Sequence, residues 1–222
     1  MSTLGSAAAY VIVFVLAFFL GSIPCGVLVG KFVYGVDPRD SGSHSIGATN
    51  VNRTMGTKAG VGVMLLDMLK GLVGVLIARL VAVLFLGFEA DSAFYDAMVF
   101  GAVLFGICGH IYSPWLGFKG GKGISTGFGT LVMADWRIGV GIGIVFLVFA
   151  ILTRIVSVGS MMAAVSVTVW AVVFHWGSVP AFLCCLLVTV VVVYAHHANI
   201  SRLVAGEEPK FSVTKSSKHK ER

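Results

Sequence analysis

Long apolar runs alternate with short polar segments along nearly the whole of this 222-residue chain. A helix needs about 20 apolar residues to cross the hydrocarbon core of a bilayer. The pattern therefore predicts an all-α fold, a polytopic transmembrane helix bundle of about seven spans. The predicted spans cover approximately residues 6–33, 59–87, 95–113, 122–135, 137–154, 156–175 and 178–201. Only residues 135–137 separate spans four and five, so a count of six, with span four re-entrant or merged, stays open.

The composition is typical of a membrane protein and excludes a soluble domain. Hydrophobic residues make up 57% of the chain and charged residues 12%, whereas soluble domains carry about 25% charged residues. The spans leave no room for a separate catalytic domain, so any chemistry belongs to loops and helix ends. We predict a single transmembrane domain over residues 1–204 and a polar, basic cytoplasmic tail over residues 205–222.

Basic residues lie almost entirely on one side of the predicted bundle. With seven alternating spans, that side carries every Lys and Arg except Arg137 and two residues inside span two, Lys70 and Arg79. Because Lys and Arg are retained on the cytoplasmic side of membranes, we expect the amino terminus outside and the carboxyl terminus in the cytoplasm. We interpret the basic tail as lying near anionic lipid headgroups rather than as binding nucleic acid.

Three polar segments interrupt the apolar pattern, and all three fall on the predicted cytoplasmic side. They cover residues 37–58, 109–126 and 194–208. The second segment contains Lys119 and Lys122 in a glycine-rich stretch that runs directly into an apolar helix. Such a loop favours phosphate binding, because glycines permit close approach and a helix amino terminus carries roughly half a positive charge. The segment lacks the G-x-x-x-x-G-K-[ST] spacing of a nucleotide-binding loop.

The third segment places His196, Asn199 and Arg202 at intervals of three residues, so they would share one face of a helix. Elsewhere, Asp67 and Lys70 lie three residues apart inside span two. We interpret them as a buried pair that neutralises its own charge, although one of them could instead reach the cytoplasmic site.

Two further histidines, His110 and His175, are isolated in the sequence, and we interpret both as structural, with His110 able to orient the glycine-rich loop. No carboxylate cluster has the spacing of a Mg²⁺ site, and the four cysteines lie in apolar runs without a C-x-x-C motif. We therefore expect neither a metal nor a cofactor.

Four motifs in these segments resemble those of a known family. They lie at residues 21–26 (GSIPCG), 42–53 (GSHSIGATNVNR), 109–123 (GHIYSPWLGFKGGKG) and 196–208 (HHANISRLVAGEE). Together they are similar to the bacterial acyl-phosphate–glycerol-3-phosphate acyltransferases, integral membrane enzymes of phospholipid synthesis. One departure is that His44 and Ser45 stand where the family has Gly and Asn. This loses a residue suited to positive φ and a hydrogen-bonding amide.

The resemblance implies transfer of a fatty acyl group from acyl phosphate to the 1-hydroxyl of glycerol 3-phosphate, giving lysophosphatidate and phosphate. The catalytic residues it implies are Ser43, Arg53, Lys122, His196 and Asn199. The substrate-binding residues it implies are Thr49, Asn50, Lys119, Gly120, Gly121, Gly123, Arg202 and Glu208. In this interpretation Lys122 and the glycines cradle one phosphate, while Arg53 and Lys119 neutralise the second.

The expected partners are the two substrates and membrane lipids, with a functional handover from the enzyme that makes acyl phosphate. The expected location is the bacterial inner membrane, with the site facing the cytoplasm. The alternative is a transporter of a phosphorylated small molecule, which basic cytoplasmic loops would also suit. That alternative is weakened because the outer side offers acids rather than cationic steps for an anion.

Overall fold

The structure, a computed structural model, describes residues 3–90 and 92–211, and within these ranges it is helical with no strand. The α-helices are α1 (Thr3–Ser22), α2 (Cys25–Tyr34), α3 (Ala48–Met55), α4 (Thr57–Leu80), α5 (Ala93–Ile111), α6 (Ile124–Ala134), α7 (Trp136–Thr153), α8 (Val156–Phe174), α9 (Val179–Ala195) and α10 (His197–Val204). A π-helical turn, Val81–Phe85, extends α4, and single 3-10 turns form at Pro38–Asp40 and Pro114–Leu116.

Several of these helices are long and apolar enough to cross a membrane. Within the described part of the chain, five stretches meet that description, namely Leu4–Tyr34, Thr57–Phe85, Ala93–Leu116, Trp136–Thr153 and Val156–Phe174. The pair α9 and α10 makes a sixth, although the two helices are bent by 56°. Helix α6 has 11 residues, which extend about 16 Å and fall short of the roughly 30 Å hydrocarbon core. The all-helical membrane bundle is confirmed, while the count of seven spans and the orientation of the termini stay predictions.

Two predicted spans are interrupted near the predicted cytoplasmic end. Span one breaks after α1 because Pro24 has no N–H to continue the helix. Carbonyls left free at this break find side-chain donors: the Ser22 oxygen accepts from Ser113 Oγ at 2.7 Å, and the Ile23 oxygen accepts from Lys70 Nζ at 2.6 Å. The last span bends at His196, which separates α9 from α10. The first break thus links the end of α1 to Ser113 in the second polar segment.

The packing of the bundle places α6 against α4 beneath these segments. Helix α5 is central and packs against α1, α4, α6 and α9, while α7 packs against α8. A methyl group on Gly129 of α6 would overlap the carbonyl of Met68, and one on Gly71 of α4 would meet the Thr126 carbonyl. These glycines therefore permit a close helix pair, which sets the first turn of α6 beside the α4 residues Asp67 and Lys70.

His175, which is isolated in the sequence and interpreted as structural, contacts two carboxylates at the other end of α5. Its Nδ1 lies 3.4 Å from Asp96 Oδ2, and its Nε2 lies 3.1 Å from Asp135 Oδ2. The contact with Asp96 outweighs burial and, helped by Asp135, raises the pKa of the His175 imidazole. Asp96 lies about 21 Å along α5 from His110, so this cluster is remote from the polar segments.

The chain folds back after α10. Glu207 N donates to the Arg202 carbonyl at 2.8 Å, and Phe211 N donates to the Arg154 carbonyl at 2.9 Å. The first residues of the predicted tail are therefore anchored to the bundle. Most of the predicted basic tail, residues 212–222, lies outside the described residues.

Candidate active site

A cluster of charged side chains brings together residues of all three polar segments, namely Arg53, Lys122, and Arg202 with Glu208. Arg53 on α3, Arg202 on α10 and Glu208 after α10 all act electrostatically on the Lys122 ammonium. Burial of the Lys122 side chain, followed by repulsion from Arg202 and Arg53, lowers its pKa from the ordinary 10.5, while Glu208 acts in the opposite direction. An excess of positive charge in a half-buried position is suited to binding an anion.

The lowered pKa of Lys122 predicts an early alkaline limit of activity. Lysine carries its charge below its pKa, so activity that needs this charge falls as the pH rises through a value below 10.5. Lys122→Arg should move this limit to higher pH, because a guanidinium stays charged throughout the accessible range. The measurement is the rate of product formation between pH 7 and pH 11 for both proteins. An identical alkaline limb in the two would contradict the assignment.

The glycine-rich loop is seated on the last turn of α5. Gly120 N donates to the Ile111 carbonyl at 2.9 Å, and Gly121 N donates to the His110 carbonyl at 3.1 Å. These two N–H groups are therefore occupied, so the predicted part of Gly120 and Gly121 in cradling a phosphate, which stays a prediction, would depend on close approach of the backbone rather than on these donors. The backbone N–H groups of residues 122–126 have no acceptor among the described residues. An anion site at the α6 amino terminus would use these groups together with Lys122.

The first polar segment is organised by the buried amide of Asn50. Its Nδ2 donates to the carbonyls of Pro38 (2.7 Å), Ser45 (2.8 Å) and Ser41 (3.2 Å). Its Oδ1 accepts from Ser43 N at 2.8 Å. The amide is thus committed to shaping the loop rather than to a substrate. Of the predicted site residues nearby, the side chains of Ser43, Thr49 and Arg53 are exposed, as is that of Lys119 in the glycine-rich loop.

His44 occupies a backbone position that favours glycine. Its φ is 55°, in the left-handed region, where non-glycine residues are uncommon but His is among those tolerated. The imidazole compensates in part, because His44 Nδ1 lies 2.8 Å from the Arg39 carbonyl and bonds to it. His44 therefore adopts the left-handed conformation with one hydrogen bond that supports it.

This geometry predicts opposite outcomes for two substitutions at His44. His44→Gly should keep activity within about twofold, because it relieves strain while losing one exposed hydrogen bond. His44→Val should destabilise the loop by at least about 1 kcal/mol, because a β-branched residue disfavours positive φ. Thermal unfolding and turnover of both variants check this, and equal behaviour of Gly and Val would contradict it.

The third polar segment, residues 194–208, contributes Arg202 and Glu208 to the charged cluster. Glu208 Oε1 accepts from Ser157 Oγ and from Asn199 Nδ2, each at 2.6 Å, and its Oε2 accepts from Arg202 Nε at 2.7 Å. These donors outweigh the effect of burial, which raises the pKa, so the pKa of Glu208 lies below its ordinary 4.5. The sequence did not indicate Ser157, since a serine within an apolar helix is commonplace.

Two buried groups in this segment have a defined hydrogen-bonding role. The Asn199 amide is oriented by Glu208, since a carboxylate accepts only from Nδ2, and its Oδ1 has no donor among the described residues. His196 precedes α10 rather than lying within a continuous helix, and its Nδ1 bonds the Val192 carbonyl at 2.8 Å. The proton therefore lies on Nδ1, and Nε2 of the neutral ring is an acceptor.

Comparisons with known proteins give one consistent result. The sequence matches the family described as glycerol-3-phosphate acyltransferase over residues 11–206. A glycerol-3-phosphate acyltransferase of Trichodesmium erythraeum is 35% identical over 219 residues, covering 94% of this chain and 95% of that protein. One from Trichlorobacter lovleyi is 40% identical over 195 residues, covering 88% of this chain and 94% of that protein.

Solved structures agree. PlsY (YgiH), an integral membrane glycerol 3-phosphate acyltransferase, matches in its glycerol 3-phosphate form with a TM-score of 0.80 and 33% identity. Its lysphosphatidic acid form matches with a TM-score of 0.78 and 32% identity, and both alignments cover 92% of this chain and 96% of that chain. The chain therefore belongs to the glycerol-3-phosphate acyltransferase family of integral membrane proteins.

Proposed function

We propose that the protein transfers a fatty acyl group from acyl phosphate to the 1-hydroxyl of glycerol 3-phosphate, releasing lysophosphatidate and phosphate. The observation that carries this proposal is that Arg53, Lys122 and Arg202, from three separate polar segments, lie close enough to interact electrostatically. The third segment also offers Asn199 Oδ1, a buried acceptor with no donor among the described residues. Both substrates bring a phosphate, and one of them also brings a hydroxyl. A cationic pocket with an unpaired buried acceptor matches these needs.

The cationic groups divide between the two phosphates. Lys122 and the free N–H groups at the start of α6 would hold one phosphate, and Arg53 would neutralise the other. Lys119, which is exposed, would add attraction at longer range, where ions screen it. Asn50 would act indirectly, by presenting Ser43 and Thr49 on a rigid loop toward the donor.

The hydroxyl of glycerol 3-phosphate would bind to side chains of the third polar segment. Asn199 Oδ1 would accept the hydroxyl hydrogen bond and so orient the oxygen for attack. His196 Nε2 would accept a second hydrogen bond from the same substrate. Glu208 would hold Asn199 and Arg202 in place, which is its bracing role.

In the reaction step, the 1-hydroxyl oxygen bonds to the carbonyl carbon of the acyl phosphate, and the bond from that carbon to the phosphate oxygen breaks. The hydroxyl proton passes to an oxygen of the departing phosphate. We favour this acceptor over His196, because His196 hydrogen-bonds a backbone carbonyl rather than a carboxylate that would stabilise an imidazolium. Ser43 would not be acylated, so acid quench during turnover should trap no labelled acyl group on the protein.

The proposed setting is the bacterial inner membrane with the site at the cytoplasmic face. The positive-inside distribution of Lys and Arg supports this orientation, with the amino terminus outside and seven spans. The acyl chain would enter from the lipid and the polar substrate from the cytoplasm. The donor would be handed over from the enzyme that forms acyl phosphate, since an acyl phosphate is readily hydrolysed.

One assay tests the proposal. Purified protein in detergent receives labelled glycerol 3-phosphate with acyl phosphate, in the presence of EDTA, and a parallel reaction replaces acyl phosphate by acyl-CoA. We expect lysophosphatidate in the first reaction and none in the second. Product from acyl-CoA alone would overturn the donor assignment, and loss of product with EDTA would overturn the expectation that no metal takes part.

A further inference from the structure

A group of buried polar side chains lies beneath the glycine-rich loop, outside the site described above. Asp67, Lys70, His110 and Thr126 are 2%, 7%, 3% and 0% exposed, and they come from α4, α5 and α6. Lys70 Nζ lies 2.7 Å from Asp67 Oδ1 and 3.0 Å from His110 Nδ1. Thr126 Oγ1 lies 3.1 Å from the same imidazole nitrogen. Charges this deep in a membrane protein are costly, which suggests a function for the group.

These contacts fix the position of the proton on the His110 ring. An ammonium group only donates, so His110 Nδ1 is the acceptor, and the proton of the neutral ring lies on Nε2. A neutral ring also balances the charge, because Lys70 already pairs with Asp67 and a second cation would have no counter-ion there. The Nε2 edge faces the loop, since a methyl group on Gly121 would overlap it.

The backbone of His110 supports the same loop. Its carbonyl accepts from Gly121 N at 3.1 Å, and a methyl group on Gly120 would overlap that carbonyl oxygen. The loop thus rests on both the ring and the backbone of His110. The ring in turn is held by Lys70 on α4 and Thr126 in the first turn of α6.

We propose that Asp67, Lys70 and His110 are positioning residues that set the seat of the glycine-rich loop, and through it the placement of Lys122 and the α6 amino terminus. The inference rests on the proposed function, in which those groups bind a substrate phosphate. The network itself touches no substrate. Its loss should therefore raise the KM for a phosphate-bearing substrate without unfolding the protein.

A cycle of variants at His110 and Gly121 tests the proposal. In His110→Asn, the amide oxygen replaces Nδ1 as the acceptor for Lys70, but the shorter side chain leaves the space beside Gly121 empty. We expect Gly121→Ala alone to lower kcat/KM at least about tenfold, because the methyl meets the ring. In the His110→Asn background, Gly121→Ala should cause a further loss of no more than about twofold.

Gly120→Ala is the matched control. Its methyl would meet the backbone oxygen of His110, which no substitution of the side chain removes. The loss caused by Gly120→Ala should therefore be the same in both backgrounds. Equal losses from Gly121→Ala in the two backgrounds would overturn the proposal.

Two further measurements separate positioning from a structural role. His110→Asn should raise the KM for glycerol 3-phosphate or for acyl phosphate while lowering the unfolding temperature in detergent only slightly, since the shorter buried side chain leaves a small void. A lower unfolding temperature with both KM values unchanged would show a purely structural role and overturn the proposal. Asp67→Asn combined with Lys70→Met removes both charges and should raise the same KM, with little further effect on top of His110→Asn.

The cycle stays informative if the proposed function fails. If the wild-type protein makes no lysophosphatidate, the rise in unfolding temperature on adding glycerol 3-phosphate replaces KM as the measure of how well the glycine-rich loop is placed. Should glycerol 3-phosphate also have no effect, the unfolding temperatures of the same variants are compared. The penalty of Gly121→Ala must then still disappear in the His110→Asn background, and its persistence would overturn the proposal.

Discussion

Lys122→Ala is expected to lower turnover about 10²–10³-fold while the protein still folds and inserts. The Lys122 ammonium lies within electrostatic range of Arg53, Arg202 and Glu208, and it is half-buried, so its charge is poorly screened. In the proposed mechanism, its removal takes away a preorganised charge that would hold a substrate phosphate. Removal also relieves repulsion with the two arginines, so the unfolding temperature should not fall. The rate of lysophosphatidate formation and a thermal melt check both points.

The matched control for this prediction is Lys58→Ala. Lys58 is exposed near the start of α4 and carries the same formal charge. Its replacement should alter turnover by no more than about twofold, because an exposed charge is screened by ions. Similar losses in the two variants would indicate a general effect of surface charge. Near-normal turnover of Lys122→Ala would place the phosphate elsewhere.

The sequence was sufficient to locate the apolar helices and the polar segments. Apolar runs report burial in lipid directly, so each predicted span matches a helix or helix pair to within a few residues. The breaks were harder to predict. Pro24 marks the first one, but the bend at His196 has no comparable signal, because it depends on how α9 and α10 pack against the rest.

Contacts between residues that are distant along the chain could not be predicted from the sequence. His175 is isolated in the sequence because Asp96, on α5, and Asp135, between α6 and α7, are distant from it along the chain, and only the tertiary structure brings the three side chains together. For the same reason, the sequence of the glycine-rich loop predicts an anion site but does not indicate which N–H groups are available to the anion. The N–H groups of Gly120 and Gly121 donate to carbonyls at the end of α5. Which acceptor such a group finds is decided by the tertiary structure.

Glu208→Gln is the second substitution with a large expected effect. The carboxylate accepts from Ser157, Asn199 and Arg202. The NH2 group of a glutamine in its place would face one of these three donors, and that hydrogen bond would be lost. We expect a loss of about 2–4 kcal/mol in stability. We also expect at least about a 100-fold loss in turnover, because Asn199 and Arg202 lose their orientation.

The pH dependence of stability distinguishes this carboxylate from an exposed one. Because the pKa of Glu208 is depressed below 4.5, its contribution is present above pH 4.5 and is lost as the pH falls through the lower folded-state value. Wild type should therefore lose this stability below pH 4.5, and Glu208→Gln should lack that part of the acid dependence.

The adjacent and exposed Glu207 supplies the control Glu207→Gln, which should behave as wild type in both turnover and thermal melts. Matching melts and rates for the two glutamine variants would mean that the carboxylate of Glu208 does not brace the site.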